Sequence, residues 1–311
     1  MELPNFLLVG ASKCGTTSIA SHMAQHPQIY LSPLKEPKFL TAQFIPFPLQ
    51  GPGDAFVESF TVKTFDEYQQ LFRYVKDEKA VGEASVDNLY FHKKVIPVIK
   101  AYLGDVKIII ILRNPVDRAF SAYKNLVRDA RETLSFEDAL KEEQRRKQKG
   151  YEYLWRYLDA GFYYEQVKAY LNNFTHVMVL VLEHFVQSSF ELFRHIFRLL
   201  GVDPCFTPKR QTRFNVSGRP KIGWIQRPFE PTPFKGKMYK YLAMNGFKID
   251  KLMQWVEPLR GFNIQPIYLN PRIRRQLGEM YAGDVERLQK MLNVDLSAWP
   301  AANFDNPNMG N

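Results

Sequence analysis

The stretch Leu7-Leu8-Val9-Gly10-Ala11-Ser12-Lys13-Cys14-Gly15-Thr16-Thr17-Ser18 constrains the rest of the chain most strongly. Its apolar start predicts a short buried strand, its middle a tight loop and its end the opening of a helix. Ile19, Ala20, Met23 and Ala24 then recur at helical spacing. Gly10 and Gly15 permit sharp turns and a close approach of backbone amides to a ligand. The open N–H groups and positive dipole end at such a helix start favour an anion, above all a phosphate.

The spacing is close to the Walker A pattern G-x-x-x-x-G-K-[ST], but Thr16 stands at the lysine position and the loop's one lysine, Lys13, lies inside it. Nucleotide hydrolases use that lysine on the β/γ-phosphates and the next hydroxyl on magnesium. Here the cradle remains without that arrangement. The run Lys107-Ile108-Ile109-Ile110-Ile111-Leu112 predicts a strand buried on both faces of a parallel sheet. It ends in Arg113-Asn114-Pro115, where a Walker B strand would end in a magnesium-binding aspartate. An arginine at that point calls for a carboxylate or phosphate partner. A helix is expected from Val116, with Ala119, Phe120, Tyr123 and Val127 as its buried stripe and Ser121 at the border. Lys124, Asn125 and Arg128 fall on its polar side.

Further short strands are expected at Gln28–Ser32, Ala80–Glu83 and Val177–Leu182, with helices over 66–74, 161–171, 190–200 and 271–292. Glu36 lies between Lys35 and Lys38, clamped by Pro33 and Pro37, which predicts a rigid loop with a charge set in it. Residues 41–64 are rich in Pro, Gly and Phe without a clear period and read as a long, substrate-facing loop. Residues 135–149 read as one exposed charged helix, with Arg145-Arg146-Lys147 as a solvated face. The tail after Trp299 reads as disordered. Alternating strands and helices predict an α/β, P-loop-type three-layer fold, a central parallel sheet flanked by helices, in one domain over 1–311. Ligands bind such sheets at the carboxyl ends of the strands. Lys13 to Thr17, Glu36, Glu83 and Arg113 all fall there.

Composition narrows the partners. The 42 Lys and Arg residues exceed the 32 Asp and Glu by 10, which suits an anionic ligand. Zinc-finger spacing and RNP-like aromatic motifs are missing from the sequence, so nucleic acid is not expected. Two cysteines, Cys14 and Cys205, make neither a disulfide framework nor a metal cluster. No apolar run reaches the roughly 20 residues of a membrane span, and a soluble, cytoplasmic protein is expected. An anion cradle plus a second anion site at Arg113 and Ser121, without the magnesium aspartate, suggests a nucleotide phosphorylated at both ends of a ribose.

These motifs resemble the sulfotransferases that use 3′-phosphoadenosine 5′-phosphosulfate (PAPS), in the branch of heparan sulfate O-sulfotransferases and bacterial small-molecule sulfotransferases. G-A-S-K-C-G-T-T-S is similar to the family's 5′-phosphosulfate loop, and I-L-R-N-P-V-D-R-A-F-S-A-Y to its 3′-phosphate motif. N-V-S-G-R-P-K resembles the late loop that closes over the cofactor, and D-L-S-A-W the tail of bacterial members. The resemblance implies cofactor contacts from Lys13, Cys14, Gly15, Thr16, Thr17, Ser18, Arg113, Ser121, Ser217, Gly218 and Arg219. It implies transfer without a metal, with 3′-phosphoadenosine 5′-phosphate (PAP) as product. Lys13 would neutralise the leaving phosphate and Glu36 would be the general base, with Glu83 in reserve. The heparan enzymes carry Glu-Lys-Thr-Pro where this chain has Glu83-Ala84-Ser85-Val86. The missing lysine favours a small metabolite, lipid or glycoside acceptor over an anionic glycan. A P-loop nucleotide kinase and a non-enzymatic polyanion-binding protein are the alternatives.

Overall fold

A computed structural model describes residues 2–185, 189–209, 218–247 and 261–301. Five strands form its sheet: β1 (Phe6–Gly10), β2 (Ile29–Leu31), β3 (Ala80–Ala84), β4 (Lys107–Leu112) and β5 (Val177–Val181). They lie in the order β2-β3-β1-β4-β5, and every neighbouring pair is parallel. Parallel pairing requires crossovers, which the intervening helices supply. β1 and β3 are buried along their whole length, and β4 from Ile108 onward. That is why their sequences read as unbroken apolar runs rather than alternating ones.

The chain leaves central β1 for the edge at β2, returns to β3, then crosses β1 to reach β4 and β5. The order reverses beside β1, and its carboxyl end opens into the crevice such a reversal creates. The register between β1 and β4 shifts between Leu8 and Gly10. Ala11 N–H still donates to Ile111 O at 2.7 Å, which ties the start of the loop to β4.

Three expectations need correction. Residues 41–64 are not one loop: helices run over Phe39–Ala42 and Asp54–Phe60. Asp54 is fully buried and accepts hydrogen bonds from the Gly51 and Glu152 N–H groups and Trp155 Nε1, and it pairs with Arg131. The helix is too short for its period to stand out between glycines and prolines. It packs against the helix Pro233–Met244, a partner far along the chain. Residues 135–149 form two helices, Phe136–Lys141 and Glu143–Gln148. Arg146 is not on a solvated face. It is buried, with its guanidinium on Glu132 at 2.5 and 3.1 Å, and Tyr157 hydroxyl donates to the same carboxylate at 2.9 Å. The expected helix over 66–74 stops early, spanning Phe65–Gln70. At the other end of the chain, Pro271–Leu292 is helical as read. A short helix, Ala298–Ala301, follows, and the tail beyond 301 lies outside the described residues.

Removing one partner of a buried ion pair strands the other charge. Arg146→Met should therefore lower unfolding stability by about 3–5 kcal/mol, read from the urea midpoint, while Arg146→Met with Glu132→Gln recovers much of the loss. A single-variant loss no larger than that of a surface substitution would show that the pair carries no weight.

Candidate functional site

Everything at the carboxyl edge is arranged around the loop leaving β1. Gly10 is enforced by packing: a Cβ there would lie 2.5 Å from Leu89 Cβ. Gly15 sits at φ 76° and starts the helix Thr16–Met23, which no side chain caps. Its first-turn N–H groups are left for a ligand, next to the positive end of the dipole. Cys14 is fully buried behind the loop, 3.9 Å from Tyr163 hydroxyl, and burial pushes its thiol up to about 11. It packs the loop as a small side chain and is no nucleophile.

Lys13 is half-buried, and its ammonium donates to Asn125 Oδ1 at 2.6 Å. Loss of hydration, and then the nearby Arg128 charge, lower it to about 7. Asn125 belongs to the helix Pro115–Arg128, whose half-buried face also carries Ser121 and Lys124. Arg113 donates to Lys13 O at 3.4 Å, and its charge helps to depress the Lys124 ammonium, after burial. The structure thus sets Lys13 and Arg113 beside the helix that carries Ser121 and Lys124. Asn114 caps the helix through Val116 N–H and fixes where it begins.

The second half of the site is the loop after β2. Lys13, Glu36 and Lys38 all hold left-handed backbone, at φ 65°, 56° and 57°, at a cost of order 1–2 kcal/mol each for residues with a Cβ. Such conformations persist where the surroundings fix them, and they gather at functional sites. Around Glu36 and Lys38 the end of β3 and Val62 do the fixing. Glu36 N–H donates to Ala84 O at 3.1 Å, Lys38 N–H to Ser85 Oγ at 3.4 Å, and Val62 N–H to Pro37 O at 2.9 Å.

Lys38 Nζ sits among three carboxylates: Asp87 at 3.3 Å, Glu152 at 3.5 Å and Glu36 at 3.7 Å. Burial works against its charge, but Asp87, Glu152 and Glu36 outweigh it and raise the ammonium above its ordinary value. Burial also opposes ionisation of Glu36, yet Lys35, at 2.9 Å, and Lys38 hold that carboxyl below the usual range. Glu83 behaves oppositely. It is fully buried, its nearest donor is Ser85 Oγ at 2.8 Å, and burial raises it to about 8. The two carboxyls therefore differ in protonation at neutral pH.

Arg219 is brought to the same helix, where it interacts with Tyr123, while Gly218 packs against Ile264 and Gln265. Ser217, with the rest of 213–217, lies outside the described residues. Tyr163 braces the loop from behind, donating to Arg113 O at 3.1 Å. Sequence reasoning missed Asn125 as the partner of Lys13, and Asp87, Glu152 and Tyr153 around Lys38. They are distant in sequence, and no spacing links them. Among the described residues no group of His, Cys, Asp and Glu is placed to hold a metal, and no helix is long and apolar enough to cross a membrane.

Comparison with known proteins agrees with this geometry. The model of the Sulfotransferase family matches residues 4–203. The crystal structure of a sulfotransferase from Alicyclobacillus acidocaldarius superposes with a TM-score of 0.75 and 35% identity, covering 96% of this chain and 99% of that one. The chain belongs to the sulfotransferase family. Among curated relatives, the membrane-associated sulfotransferase kil1 of Dictyostelium discoideum is 30% identical over 39% of this chain. The human bifunctional heparan sulfate N-deacetylase/N-sulfotransferase 2 is 34% identical over 40% of it. The matches span only 22% and 13% of those two proteins.

The two thiols should separate cleanly. Cys205 is exposed and Cys14 buried, so native protein at pH 8 should yield one fast-reacting thiol with a disulfide reagent, and two in guanidinium chloride. Rapid modification of Cys14 in a native Cys205→Ser variant would contradict a sealed loop.

Proposed function

We propose that the protein transfers the sulfuryl group of PAPS to a hydroxyl or amine of a small molecule, lipid or glycan, releasing PAP. The observation that carries this reading is the junction of two anion-binding features. One is the uncapped helix start beside Lys13, and the other is Arg113 with the Ser121–Lys124 face. A nucleotide with phosphates at both ends of its ribose fits such a pair. The strand that would bear a kinase's magnesium aspartate bears Arg113 instead, which speaks against the kinase reading.

In the transfer, the acceptor oxygen bonds to sulfur while the sulfur–oxygen bond to the 5′-phosphate breaks. Lys13 and the helix N–H groups stabilise the charge gathering on that phosphate. Glu36 takes the acceptor proton. Lys35 and Lys38 keep it ionised, and the hydroxyl becomes acidic as its bond to sulfur forms. Glu83 holds its own proton at neutral pH and is sealed from solvent, which favours Glu36 over Glu83 as the base. Gly218 and Arg219 would close over the nucleotide together with Ser217. The chain's place in the cell is proposed to be the cytoplasm.

Calorimetric titration should show tight binding of adenosine 3′,5′-bisphosphate with or without magnesium, and none of ATP. Magnesium-dependent ATP binding would favour a kinase, and binding of neither a polyanion-binding protein. Glu36→Gln should lower kcat by at least about a hundredfold with the bisphosphate affinity kept. Arg113→Ala should weaken the nucleotide instead. Normal turnover in Glu36→Gln would move the base elsewhere.

The bisphosphate affinity should also depend on pH. Lys13 is near 7 without an anion, and an anion favours its ammonium, so the bound value is higher. Above about pH 7, where the phosphates are dianionic, affinity then falls as pH rises, by up to about tenfold per unit, until the bound value is reached. Proton uptake on binding, read from buffers of different ionisation enthalpy, checks the sign. An affinity flat from pH 6 to 9 would remove Lys13 from the phosphate cradle.

A further inference from the structure

Behind Lys38 the structure holds a cavity of about 230 Å³. One end is polar, formed by Lys38, Asp87, Glu152 and Tyr153. That end adjoins the candidate site on two sides. Lys38 reaches Glu36 at 3.7 Å, and Tyr153 hydrogen-bonds Ser12 of the loop after β1. The body of the cavity is walled by Phe44, Ile45, Phe47, Leu49, Val57 and Phe91. Most of that wall comes from the segment that the sequence showed only as a Pro- and Phe-rich stretch.

We infer that this cavity is the acceptor site and that it takes a single-ring aryl alcohol or phenol with a short side chain, its hydroxyl turned toward Glu36. The inference rests on the sulfotransferase reading above and gives it a substrate class. Size supports it: an apolar cavity of about 150 Å³ accepts benzene, so this one has room for a ring and a few further atoms. Wall chemistry supports it too. The rings of Phe44, Phe47 and Phe91 can meet an aromatic ring edge-to-face or offset-stacked.

The test pairs activity with direct binding. With PAPS as donor, 4-ethylphenol and 3-phenylpropan-1-ol should be sulfated with a kcat/KM at least a hundredfold above that of a heparosan oligosaccharide. Ile45→Trp and Leu49→Trp, each narrowing the wall, should raise KM for the aryl alcohols at least tenfold and leave the PAP dissociation constant unchanged. Their melting temperatures verify folding. Preference for the oligosaccharide, or a KM that neither variant moves, overturns the inference while PAP binding upholds the sulfotransferase reading. If PAP does not bind, that reading falls. Saturation-transfer NMR with 4-ethylphenol then decides the cavity by itself: a signal lost in both tryptophan variants supports it as an aryl-alcohol site, and no signal in the parent protein refutes it.

Discussion

The ammonium of Lys38 is the contact on which the functional edge of the molecule depends. It joins three segments with no sequence proximity: Glu36 on the loop after β2, Asp87 after β3, and Glu152 before the final third of the chain. Three carboxylates converging in a buried space would repel one another and protonate. One cation at their centre lets Glu36 remain ionised. A buried ion cluster contributes little net stability, because desolvation offsets most of the attraction. Its effect is positional. The left-handed backbone of Glu36 and Lys38 is held on one side by β3 and on the other by this cluster, so the carboxylate cannot swing away.

Environment, more than residue type, separates the two candidate carboxylates. Glu36 is near enough to Glu83 for its charge to penalise ionisation there. Glu36 has two lysines in contact, whereas Glu83 has a serine and a surrounding core. Burial therefore prevails at Glu83 and is overcome at Glu36. Two like groups with values pushed apart can hold different roles. Glu83, protonated, anchors Ser85, and Ser85 accepts from Lys38 N–H. The buried acid thus supports the loop that carries Glu36.

What could be read in the sequence follows from which interactions are local. β1, β4 and the loop between Gly10 and Thr16 were legible because a doubly buried strand and a glycine-bounded turn leave continuous marks on the chain. The parallel sheet and the carboxyl-edge convergence of Lys13, Glu36, Glu83 and Arg113 followed from that alternation. The helix Asp54–Phe60 and the burial of Arg146 were not legible. Asp54 is satisfied by groups near 131 and 152–155, and Arg146 by Glu132 and a ring from Trp155. A charged residue in a helix reads as solvated unless its partner is known, and here the partner is set by tertiary packing.

The same logic separates the two ends of the site. The phosphate end is built largely from backbone, as a turn, a helix start and a strand terminus, so its pattern is compact in sequence and its chemistry could be inferred early. The cavity end is built from three separate segments, 38–61, 87–94 and 147–156. No spacing rule connects them, and only the folded wall shows that they form one surface. An enzyme of this design can keep its donor chemistry constant while its acceptor changes, because the donor site depends on β1 and β4. The proposed acceptor wall hangs mainly on a Pro-rich segment, and Lys38 at its start ties it to Glu36, Asp87 and Glu152. Substitutions along Phe44–Val57 can therefore reshape the wall without disturbing Lys13 or Arg113, whereas a change at Lys38 would reach both ends.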